Sequence, residues 1–147
     1  MVHKILPVLA AVIFMAFSNI ASADDKVHRL VLQISDDSKQ KMNTVLNVAA
    51  NISRYYSAKG EEIEIEVVAF NKGLHMLRTD TSPVTKRITN FSQSMANVTF
   101  LACGNTMKGM AKKEGKMPEI MSFAEQVPAG VVQILERNEE GWTVIRP

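Results

Sequence analysis

Two hydrophobic periods trade places along this chain, and that exchange constrains its fold more than any other feature. Short apolar runs ending in Ser, Asn, Asp or Gly alternate with longer stretches whose apolar residues recur every three or four positions. Val27 to Ile34 is the first run, apolar at Leu30, Val31, Leu32 and Ile34, as an interior strand requires. Ser35, Asp36, Asp37 and Ser38 break it and supply N-cap candidates for a helix from Lys39 to Ala58. Val45, Val48, Ala49, Ile52 and Tyr56 give that helix one core face, and Gly60 stands where a left-handed cap closes it. Asn43, Asn47 and Asn51 stack along a second side, a polar flank toward water or a neighbouring subunit.

The pattern then repeats. Glu61 to Phe70 alternates before turning wholly apolar, a strand that enters from solvent and becomes buried. Asn71, Lys72 and Gly73 end it, and a helical turn over Leu74, Met76 and Leu77 carries His75. Ser82 before Pro83 predicts the start of a helix running from Thr81 to about Ser94. A third strand, Val98 to Ala102, precedes a helix from Asn105 to about Lys113, and Glu114, Gly115, Lys116 and Pro118 mark an exposed loop. Phe123 to Val127 forms a short fourth strand. Val131 to Glu139 forms a helix expected to pack Val131, Val132, Ile134 and Leu135 inward, and Trp142 to Ile145 a last, edge strand. This order predicts an α/β fold, a three-layer α/β/α sandwich with a mostly parallel five-stranded sheet.

Ahead of the first strand, Ile5 to Phe17 is apolar and Ala21, Ser22 and Ala23 have the small side chains of a leader cleavage site. The reading is a signal peptide over residues 1–23, cut after Ala23, and one exported domain over 24–147, periplasmic or secreted. The apolar run is shorter than the roughly 20 residues of a membrane span, so no stable membrane insertion is expected after cleavage. A formal net charge of +2 over 147 residues lacks the basic surplus of nucleic-acid binding. Lys108, Lys112, Lys113 and Lys116 read as a solvated helix end.

One cysteine in an exported chain excludes an internal disulfide. Cys103 follows the third strand and is followed by Gly104, Asn105 and Thr106 at the start of a helix, where the dipole favours a thiolate. Ligands of parallel sheets gather at the carboxyl ends of the strands. The candidate set there is Cys103 as nucleophile, His75 as proton carrier, and Ser35, Asp36, Asn71, Gly73, Gly104, Asn105, Thr106 and Gly130 as binding residues. No cofactor motif is present, and no His/Asp cluster of zinc-site type.

ACGNT (Ala102 to Thr106), VPAGVV (Val127 to Val132) with EEGW (Glu139 to Trp142), the terminal IRP, VVAFNKGLHML and LNVAANI together resemble the exported branch of the DsrE/DsrF-like family. The resemblance spans the mature domain in order and spacing. It implies a three-layer sulfur-relay fold, assembly as a homotrimer or homohexamer, and a persulfide-carrying cysteine at the position of Cys103, served by a sulfur donor or acceptor protein. Two alternatives stand beside sulfur transfer. One is a non-catalytic small-ligand module using the same cleft. The other is soft-metal binding, since Cys103, Met107 and Met110 fall at helical spacing and thiolate and thioether ligands suit Cu(I).

Overall fold

The computed structural model describes residues 26–147, so the leader read in residues 1–23 lies outside the described residues. Five strands, β1 (His28–Ile34), β2 (Ile63–Ala69), β3 (Val98–Cys103), β4 (Ala124–Val127) and β5 (Thr143–Ile145), form one sheet in the order β4-β3-β2-β1-β5. All four pairings are parallel. The helices are α1 (Lys39–Ala58), α2 (Thr85–Ser94), α3 (Gly104–Glu114) and α4 (Gly130–Glu139), with a 3-10 turn over Asn71–Leu77. The architecture is the expected α/β sandwich. Among the described residues no helix is long and apolar enough to cross a membrane.

Alternation along the strands divides the sheet into two unequal faces. Leu32, Ile65, Val67 and Phe100 join Met42 and Leu46 of α1, Ile88 of α2 and Met107 of α3 in the larger core. Val31, Val68 and Leu101 point the other way, onto Trp142 and Ile134 of α4. Three helices therefore cover one face and a single ten-residue helix the other.

Helix α1 has the bounds its periodicity predicted, capped by the Ser38 hydroxyl accepting from the Lys41 amide and followed by Gly60 at a φ of 71°. Its asparagine flank is exposed at Asn47 and Asn51, as expected of a polar side, and it also holds a neighbouring helix. Arg87 of α2 donates to the Asn43 and Asn47 side-chain oxygens at 2.5 and 2.6 Å and so docks α2 on α1. Helix α2 begins at Thr85, four residues later than expected, because the Ser82 hydroxyl donates to the Met76 carbonyl at 2.8 Å and holds a turn there.

One further expectation is corrected. Val131, Val132 and Leu135 do not pack inward; they are 61%, 50% and 55% exposed. Glu66 is the reason. The alternation of β2 turns this carboxylate under α4, where a buried charge must be paired. Arg137 donates to it through Nε and Nη2 at 2.9 and 2.7 Å, and Gln133 at 3.0 Å. Satisfying Glu66 thus rotates the polar side of α4 onto the sheet and its apolar side outward. The loop after α3 is exposed at Glu114, Gly115 and Lys116, as expected, and beyond them Thr79 and Met121 donate backbone hydrogen bonds to Glu119 and Leu77 that anchor it. Beside it lies Arg78, 2% exposed, held bidentately by Asp80 and by Glu114 at 2.7–2.8 Å.

Candidate functional site

The helices that follow β1, β2 and β3 share one face, whereas α4, which follows β4, crosses to the other. Between the carboxyl ends of β3 and β4 the connections therefore diverge, and such a divergence opens a crevice for ligands. A cleft of about 510 Å³ occupies that position, with Cys103 in its wall. Helix α3 contributes Thr106, Gly109, Met110 and Lys113, which are spaced as one helical face, and Val131 of α4 forms part of the opposite side.

Cys103 is the N-cap residue of α3, and its side chain belongs to a residue only 5% exposed. Gly130, the first residue of α4, packs against it. A Cβ on Gly130 would stand 3.1 Å from the Cys103 Cβ and 3.2 Å from Val68 Cγ1, so a larger residue would push the Gly130 amide off the sulfur. The positive ends of two helices, α3 and α4, thus meet at one sulfur atom. Burial pushes the thiol pKa up; against it act the Thr106 hydroxyl and the backbone amides of Gly130, Thr106 and Asn105. The net effect holds the pKa below the ordinary thiol value. The Asn105 amide also donates to the Pro128 carbonyl at 3.1 Å, tying the loop after β3 to the loop after β4.

Asn71 begins the 3-10 turn with a φ of 48°, a left-handed conformation that Asn tolerates better than most residues. Its amide donates to the Thr106 hydroxyl oxygen at 3.0 Å. Lys72 and Lys113 line the cleft, and among the described residues no acidic side chain does. The arrangement can hold an anion against a thiolate in a partly apolar crevice.

Of the candidate residues, Cys103, Asn71, Asn105, Thr106 and Gly130 come together here. Gly104 lies just beneath; a Cβ there would meet the Val127 carbonyl oxygen at 2.9 Å, so its smallness lets the two loops approach. Ser35 and Asp36 do not join them. They sit at the end of β1, where Asp36 pairs with Lys41 at 2.9 Å and Ser35 accepts from Arg146 at 3.3 Å. Gly73 is a packing residue, since a Cβ there would stand 2.2 Å from the Ile34 carbonyl oxygen. His75 lies outside the cleft, with Nδ1 2.7 Å from the Thr81 hydroxyl. The soft-metal set also disperses: Met107 is buried in the larger core, and of its two methionines only Met110 reaches the cleft with Cys103.

Phe70, Lys72, Lys113 and Val131 line the cleft without having been singled out as site residues, and Met110 had been marked only as a metal ligand. The spacing of Thr106, Met110 and Lys113 from Cys103 was a usable signal, because a helix that starts at the thiol must present one of its faces to the same crevice.

No family model and no curated protein matches the chain. A solved structure does: the protein of unknown function MTH1491 from Methanobacterium thermoautotrophicum is 31% identical, over 82% of this chain and 99% of that one, with a TM-score of 0.64. The chain belongs to the same family as that archaeal protein.

Proposed function

We propose that this member of the family uses Cys103 as a sulfur carrier of the DsrE/DsrF-like kind, accepting a sulfane sulfur from an anionic donor and passing it to an external thiol. The observation that carries the reading is one buried thiol at the N-cap of α3, packed against the first residue of α4, in the wall of an open crevice. The thiolate attacks the terminal sulfur of a persulfide or polysulfide. One S–S bond forms as another breaks, the donor leaves as a thiolate or hydrosulfide, and no net oxidation occurs. Cys103 is the single cysteine of the chain, so the acceptor thiol comes from another molecule. Lys72 and Lys113 favour anionic donors over neutral ones.

Intact-mass measurement of mature protein incubated with polysulfide tests this directly. The expected result is added mass in steps of one sulfur atom, absent in Cys103→Ala. An unmodified wild-type mass would refute the reading.

The exposed side chains of Val131, Val132 and Leu135 favour self-association through α4, in line with the homotrimer or homohexamer expected from the resemblance. Val131 also lines the cleft, so a second copy seated on α4 would narrow access to the thiol.

A further inference from the structure

Cys103 is the N-cap of α3 and Thr106 the third residue of that helix, so the two share its first turn and both line the cleft. Which way a hydroxyl proton points is ordinarily free, because the group has one donor and two acceptor lone pairs. At Thr106 that freedom is curtailed. The Asn71 amide donates to its oxygen at 3.0 Å, so that side of the oxygen accepts and the proton must turn elsewhere. The backbone conformation of Asn71 underlies this geometry: its left-handed φ of 48°, right after β2, turns the chain so that the amide reaches across to α3. A residue held in that region is worth explaining, and here the explanation lies beside the reacting atom.

We propose that Thr106 is a positioning residue of this site, its hydroxyl oriented by the Asn71 amide so that its proton is delivered to the Cys103 sulfur. The Asn71 turn, the first turn of α3 and the thiol then form one chain of hydrogen bonds, amide to hydroxyl to sulfur. Such chains stabilise a charge at their accepting end more than their links do separately. The Thr106 hydroxyl supplies what the amides cannot, a donor on a rotatable bond that can follow the sulfur as it lengthens into a persulfide. Ser keeps that donor, whereas Val keeps the shape and loses it.

The inference rests on the reading of Cys103 as the reacting atom, yet its test needs no sulfur donor. The thiolate absorbance of the single cysteine is titrated with pH in wild type, Thr106→Val and Thr106→Ser, with folding checked by circular dichroism. Thr106→Val is expected to titrate at higher pH, with the thiolate population at neutral pH reduced about tenfold, the scale of one hydrogen bond to a charged group. Thr106→Ser is expected to titrate with the wild type. Should Thr106→Val not fold, Thr106→Ala carries the same expectation. Coincident titrations of the hydroxyl-free variant and wild type would overturn the proposal, and so would a Ser variant that shifts as far as the Val variant. A shifted titration together with absent polysulfide adducts would leave this hydrogen-bond chain standing and refute sulfur transfer.

Discussion

Gly73→Ala is expected to cost the protein much of its stability. A Cβ built on Gly73 lies 2.2 Å from the Ile34 carbonyl oxygen and 2.5 Å from its carbon. A carbon approaches a carbonyl oxygen comfortably at about 3.3 Å, so the 3-10 turn must retreat by roughly 1 Å from the end of β1. Overpacking of this kind costs about 1–3 kcal/mol. The Phe70 amide, which donates to the same Ile34 oxygen at 3.0 Å, loses its bond as the turn retreats, at about 1 kcal/mol more. The sum is about 2–4 kcal/mol, against a total stability of roughly 5–15 kcal/mol for a domain. Urea denaturation gives the answer as a lower midpoint at unchanged slope. Gly109→Ala is the matched control. Nothing stands within 4 Å of a Cβ there, and the residue lies inside α3, so the expected change is a gain of about 0.5–1 kcal/mol. A Gly73→Ala loss below about 1 kcal/mol would refute the argument that glycine is there for close approach.

Acid stability should report on Arg78. Its guanidinium holds the Asp80 carboxyl down to about 2 from an ordinary 3.8, and keeps Glu114 below its usual range as well. A depressed folded-state pKa contributes stability above pH 3.8 that is lost as pH falls toward 2, so Arg78→Met should flatten the loss across that window; parallel curves for the two proteins would contradict this. For self-association, light scattering should return a smaller particle for Leu135→Glu than for wild type, because a charge on the exposed apolar side of α4 opposes burial. Equal masses would place any interface elsewhere.

Local chemistry was legible in the sequence, and long-range pairing was not. The bounds of α1, the left-handed Gly60 and the placing of Cys103 between β3 and α3 all depend on neighbours a few residues apart. The outward turn of α4 depends on Glu66, more than 60 residues earlier, and the periodicity of Val131, Val132 and Leu135 shows an apolar side without saying what it faces. Nothing local marks Arg78 as buried, because Glu114, which pairs with it beside Asp80, comes 36 residues later. His75 and Asp36 were placed at the right edge of the sheet, yet an edge is wider than a site. Only the crossing of α4 to the second face selects the crevice between β3 and β4, and that follows from strand order rather than from strand identity. The Thr106 link to Asn71 escaped for the same reason, although an Asn directly after an apolar strand hinted at a left-handed turn.

The central claim is that Cys103 both takes up and gives up sulfur. Protein exposed to polysulfide, freed of excess donor and then treated with cyanide reports this as thiocyanate. The account predicts about one equivalent per wild-type chain when a single sulfur is loaded, regeneration of the free thiol, and none from Cys103→Ala. Thiocyanate from Cys103→Ala equal to that from wild type, or none from either, would contradict it.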